Sequence, residues 1–318
     1  MQGILEGNRM ILSRAITLVE SSRPQDRRLA EQVLEEIMPH TGGSLRIGIT
    51  GVPGVGKSTF LESFGLYLTG LDKSIAVLTI DPTSQKTRGS ILGDKTRMEE
   101  LSNDPRAYIR PSPSGKSLGG VHEKTRESML LCEAAGFDII LIETVGVGQS
   151  EVAVEGMVDF FLLLMLAGAG DELQGIKRGI MEIADALVIT KSDGDNVARS
   201  KIARRQYQNA LHLFPPNKTE WYPKVLTCSS VESRGMKEIW TLIKRFEEHM
   251  KERDFFHQRR AEQNLRWLEE SINCYLLEQF YQDPNIQYLY GDLKKSVSKG
   301  KLPVSAAVRK LSEAFLNR

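Results

Sequence analysis

Residues 51–58, GVPGVGKS, constrain this chain more than any other stretch. They match G-x-x-x-x-G-K-S/T, follow a β-type run at 45–50 (LRIGIT), and precede a helical pattern that starts near Lys57. Gly51, Gly54 and Gly56, with Val52, Pro53 and Val55 between them, let the backbone curl so that successive N–H groups face phosphate oxygens. The helix that follows adds the positive end of its dipole to the same anion. Lys57 supplies a mobile ammonium for the β- and γ-phosphates, and the Ser58 hydroxyl, with Thr59 beside it, is placed to ligate magnesium.

The surrounding pattern fits such a loop. Continuous apolar runs at 75–80, 137–142, 160–166, 186–190 and 224–228 read as strands covered on both faces. Helical patterns at 57–70, 122–136, 196–213 and 235–250 fall between them. The alternation predicts a three-layer α/β fold with a mainly parallel sheet over 44–250. Two amphipathic helices, 4–20 and 26–38, form an N-terminal helical extension over 1–43, closed by Pro39 and the Gly42-Gly43 pair. Beyond 250 the chain turns rich in Glu, Gln, Arg and Leu, with an apolar stripe through Phe256, Leu265, Leu268, Ile272 and Leu276. Asp283-Pro284 stops that helix and Pro303 opens a last one, giving a C-terminal helical extension over 251–318. Periodicity leaves two roles open for it, packing on its own sheet or forming a dimer interface.

Composition excludes several classes. A formal net charge of +1 over 318 residues gives no field that asks for nucleic acid or an anionic membrane. The cysteines, Cys132, Cys228 and Cys274, form no CxxC pair, and the histidines are scattered, so neither a disulfide framework nor a zinc site is expected. The longest apolar run, near 160–169, falls well short of the roughly 20 residues a membrane span needs. With no signal-type N-terminus, the expected location is cytoplasmic.

Further residues gather at strand ends. Asp81 closes IAVLTID and Glu143 closes FDIILIE, both on the carboxyl edge where such sheets bind ligands. Two such acids beside a phosphate loop suit magnesium, directly or through water, although each could instead cap a turn. Glu143 with Gly146 three residues on has the spacing of a D-x-x-G switch, in which the glycine N–H holds the γ-phosphate. ALVITKSD places Thr190, Lys191 and Asp193 close to an N-K-x-D guanine signature. Asp193 would accept both donors on guanine's edge, Lys191 would lie along the base, and Ser229 and Ser230 end a later strand near the guanine carbonyl. Thr190 stands where asparagine is usual.

Taken together, NRMILSRAITLVES, GITGVPGVGKSTF, GSILGDKTRM, IRPSPS, ETVGVGQSE and LAGAGDELQGIKRGIMEIAD closely resemble the MeaB/ArgK/MMAA family, GTPase chaperones of adenosylcobalamin-dependent methylmalonyl-CoA mutase. The resemblance runs from about Asn8 to the final helix. It implies GTP/GDP and Mg2+ as ligands, a homodimer held through the C-terminal extension, and partners comprising the mutase and its adenosyltransferase. It also implies that Asp94 is a first-switch residue linked to magnesium and hydrolysis, and that Asp171, Gln174 and Lys177 form a further switch that relays nucleotide state to the partner. Lys57, Asp94, Glu143 and Gly146 are then the catalytic group. The competing expectation is a phosphate-loop kinase acting on an amino acid or an amino-acid transport protein.

Overall fold

The computed structural model describes residues 1–21, 23–81, 97–113, 118–144, 150–168, 178–214 and 218–316. The chain divides into two compact units, Met1–Gln263 and Asn264–Arg318. In the first, the described strands are β1 (Leu45–Gly51), β2 (Ile75–Asp81), β3 (Ala107–Pro113), β4 (Ile139–Thr144), β5 (Phe160–Met165), β6 (Ala186–Ile189) and β7 (Lys224–Thr227). They form one sheet in the order β3-β2-β4-β1-β5-β6-β7, and every pairing is parallel. Every residue of β1, β4, β5 and β6 is buried, which is why these strands are mainly apolar on both faces instead of alternating.

Helices cover the sheet. Lys57–Thr69 packs on β1 and β2 and against Met236–Glu252. Leu118–Ala134 packs on β2, β3 and β4 and is itself covered by Arg9–Glu20 and Pro24–Ile37. Leu12, Ile16 and Val19 of Arg9–Glu20 are wholly buried, so the N-terminal helices add a layer to this unit's core. The amino edge of the sheet is stitched by carboxylates that accept from the first N–H groups of adjoining segments. Asp159 takes Arg46 N–H at 2.8 Å, Asp185 takes Phe161 N–H at 2.8 Å, and Asp138 takes Ser74 N–H at 2.8 Å.

Among the departures from the sequence expectation, three concern where elements begin and end or are added. The N-terminal helix breaks at Gly7 (φ +70°), and Asn8 caps a fresh helix by accepting from the N–H groups of Met10 and Ile11. β3 was not expected: its sequence, AYIRPSP, carries Pro111 and Pro113, and among the described strands it pairs only with β2, at the sheet edge, where a missing N–H is tolerated. Asp283 and Pro284 end one helix and also open another, Pro284–Ser298, with the Asp283 carboxylate accepting from Ile286 N–H at 2.9 Å.

The second unit has its own small core, Ile286, Leu293, Ala307 and Leu311, with Phe280 and Phe315 edge to face at 5.2 Å. Of the apolar stripe, Phe256 is buried, whereas Leu265, Leu268, Ile272 and Leu276 are exposed. Among the described residues no helix is long and apolar enough to cross a membrane.

Candidate nucleotide site

β1 lies between β4 and β5, where the order of connection reverses, and the loop that follows it opens at the carboxyl edge of the sheet. Two glycines there have no substitute. A Cβ on Gly51 would meet the Leu164 carbonyl oxygen at 2.6 Å, and Gly56 holds φ +90° as the N-cap of Lys57–Thr69. Among the described residues no side chain caps that helix, which leaves the N–H groups of its first turn open to an anion. Val52 and Val55 are buried and anchor the loop, while Pro53, Gly54 and Thr59 are exposed and Ser58 half-buried.

Lys57 folds back so that Nζ donates to the Gly51 carbonyl at 2.9 Å. Burial pulls its ammonium below the usual lysine pKa, and the carboxylates of Glu143 and Glu151 oppose that shift. Glu143 is buried on β4, in register with Ile49 of β1 and Thr79 of β2. The next residue, Thr144, is hydrogen-bonded to Thr50 at 2.7 Å, which locks the ends of β4 and β1 together. A serine hydroxyl directly after the loop lysine and a buried carboxylate nearby are hard oxygen donors of the kind Mg2+ accepts alongside phosphate oxygens.

The second half of the site grows from β6. Thr190 follows that strand, with its N–H on the Met165 carbonyl at 2.9 Å. Its buried hydroxyl donates to the Val55 carbonyl at 2.7 Å. Lys191, in the left-handed region at φ +53°, reaches Gly54 with Nζ donating to the carbonyl at 2.9 Å. Both side chains thus tie the base loop to the phosphate loop, and threonine performs a tether where asparagine was the expected residue. Asp193 is oriented by the Ser229 hydroxyl, which donates to Oδ2 at 2.7 Å. Ser229 also exchanges backbone bonds with Arg234, whose guanidinium donates to the Ser192 carbonyl. Ser230 follows, half-buried, beside the Cys228 thiol, which burial pushes up to about 12.

The structure brings residues 51–59, Glu143, Lys191, Asp193, Ser229 and Ser230 to one edge. Asp81 ends β2 on that same edge, although its side chain lies outside the described set. Asp94, Gly146, Asp171, Gln174 and Lys177 lie outside the described residues. Two groups carried no assignment in the sequence. Asn196 secures the base loop by donating Nδ2 to the Lys191 carbonyl at 2.7 Å. Glu151 is buried and acts on Lys57; it stands in ETVGVGQSE, but no spacing rule pointed to it.

Thr190→Val keeps shape and removes only the hydroxyl, leaving the Val55 carbonyl short of its donor. The expected loss is about 1–3 kcal/mol of stability in urea denaturation, and an unchanged midpoint would show that the tether contributes nothing.

A parallel sheet with this loop at its reversal point defines a phosphate-loop nucleoside triphosphatase. A family described as "Methylmalonyl Co-A mutase-associated GTPase MeaB" matches residues 12–285. The chain belongs to this family: it is a GTPase that binds guanine nucleotide. It is 46% identical to "GTPase ArgK" of Escherichia coli over 97% of this chain and 93% of that protein. It is 44% identical to "Methylmalonic aciduria type A homolog, mitochondrial" of Mus musculus over 99% of this chain and 79% of that protein. Among solved structures, "Crystal structure of LAO/AO transport system kinase" superposes with a TM-score of 0.79 at 40% identity, covering 100% of this chain and 96% of that one.

Proposed function

We propose that this GTPase is a chaperone of an adenosylcobalamin-dependent acyl-CoA mutase of the methylmalonyl-CoA type, gating cofactor loading from an adenosyltransferase and protecting the mutase from inactivation. The observation that carries this reading is the match over 12–285 to a family described as mutase-associated. Within the site, residues 51–59 cradle the phosphates, Lys57 leaves the Gly51 carbonyl for the β- and γ-oxygens, and Lys191, Asp193, Ser229 and Ser230 hold guanine. Ser58, Glu143, Asp81 and Asp94 would hold Mg2+, which neutralises charge on the phosphates when bound.

Asp94, Gly146 and the segment containing Asp171, Gln174 and Lys177 respond to the γ-phosphate and present the partner surface. Near-complete switching needs the nucleotide to favour one state by about 5 kcal/mol. The segments 1–43, 44–250 and 251–318 are the N-terminal extension, GTPase domain and dimerisation extension of a cytoplasmic homodimer. Exposed Leu265, Leu268, Ile272 and Leu276 support that last assignment.

The test is steady-state GTP and ATP hydrolysis with and without such a mutase. GTP turnover is expected to be slow alone and to rise about tenfold with the mutase, by analogy with partner-supplied activation of other GTPases. No stimulation, with ATP used equally well, removes the reading. A second reading, a kinase for an amino acid or its transport protein, is favoured by the name of the solved relative; transfer of labelled γ-phosphate to arginine, ornithine or a binding protein would establish it.

A further inference from the structure

At the amino edge of the sheet, opposite the nucleotide, the first turns of helix Phe255–Gln282 carry Arg259, Arg260 and Gln263 into a network of buried charge. Arg260 behaves as a clamp. It pairs with Asp159 at 2.6 Å and donates to the Gly42 and Ser44 carbonyls, each at 2.7 Å. Arg259 is placed differently, since its guanidinium bridges two carboxylates from separate elements. It reaches Glu155 at 3.2 Å and Asp185 at 3.2 Å, with all three side chains largely buried.

Both partners lead back to the nucleotide site. Glu155 is the last residue of helix Ser150–Glu155, whose second residue is Glu151. Glu151 is buried, and its carboxylate acts on Lys57. Gln263 holds the same helix end, donating to the Glu155 carbonyl at 3.1 Å and to the Val158 carbonyl at 2.9 Å. Asp185 directly precedes β6, the short strand that runs to Thr190 and on to Asp193. One guanidinium therefore sets the far end of the helix that carries Glu151 and of the strand that leads to Asp193.

We propose that Arg259 is a positioning residue for GTP hydrolysis, fixing at once the helix that carries Glu151 and the strand that leads to Asp193. The bidentate fork is the chemical requirement, because an ammonium can hold one carboxylate firmly but cannot span both. Displacing Glu151 shifts the electrostatic balance that places Lys57, and that cost falls on the step in which charge develops on the phosphoryl group.

The experiment measures GTP turnover by the full chain without any mutase, so its failure leaves the chaperone reading standing. Arg259→Met and Glu155→Gln are each expected to lower the rate at saturating GTP about tenfold, with KM changed by less than about threefold. The double variant should be no slower than the slower single one, because both remove the same link. Arg259→Lys should recover part of the loss. Arg260→Met, from an ion pair that touches neither element, should lower the thermal midpoint while leaving the rate within about twofold. Should Arg259→Met fail to fold, Glu155→Gln decides alone. A parental rate for Glu155→Gln, or an equal loss for Arg260→Met, overturns the proposal.

Discussion

Lys57→Ala is expected to lower GTP turnover by about 10³-fold, the upper end of what removing one preorganised charge donor costs. The ammonium donates to the Gly51 carbonyl, and the carboxylates of Glu143 and Glu151 favour its charged form, so a cation is held at the loop proposed to take the phosphates. Losing it removes the donor and one positive charge that the buried carboxylates of Glu143 and Glu151 act on. GTP binding should therefore weaken along with the rate, since the anion loses a cation within its site. Lys57→Arg should not rescue turnover, because a planar guanidinium cannot replace a compact ammonium at the end of a flexible stem. Single-turnover hydrolysis and GDP titration measure the two effects separately. An alanine variant that keeps more than about a tenth of the parental rate would remove Lys57 from the chemistry.

The second large effect concerns the base. Asp193→Asn is expected to lower the preference for GTP over ATP by about 10³-fold or more, because in the proposed site the carboxylate would accept the donor pair that guanine has and adenine lacks. The amide oxygen can still accept from Ser229, so the loop should keep its shape and the change should report base recognition. An amide also offers donors where the carboxylate had none. Xanthosine triphosphate, whose ring bears a carbonyl in place of guanine's amino group, should therefore gain relative to GTP. Ratios of kcat/KM for the three nucleotides are the measurement, and an unchanged GTP to ATP ratio would falsify the placement of guanine on Asp193.

Much of this fold was legible because the sheet is covered on both faces. The runs at 45–50, 75–80, 160–166, 186–190 and 224–228 each fall within a residue of an observed strand, since parallel strands covered on both faces are mainly apolar. β3 escaped because its prolines argue against any central strand, and only its place at the edge makes them acceptable. Short helices such as Ser150–Glu155 and Arg178–Ile183 have too few turns to show a period. The phosphate loop could be read residue by residue because its chemistry lies in contiguous backbone. Thr190 was legible only as a departure, since its value comes from the Val55 carbonyl far away in sequence. Arg259 gave no signal, and Glu151 none beyond its place in ETVGVGQSE. Each matters through a partner from another element, and sequence spacing cannot express that.

The place of β1 in the sheet also bears on how the protein is made. β1 leaves the ribosome early, yet both of its neighbours, β4 and β5, lie far downstream, and β2 reaches it only by way of β4. A nascent chain that has just completed the loop at 51–58 has neither flank for the strand beneath it, and the tethers from Thr190 and Lys191 come later still. Nucleotide can therefore help to hold the first unit together only after most of it has been synthesised. Until then the apolar edges of β1 and β2 depend on cellular folding factors or on speed, and truncated products should aggregate instead of binding GTP.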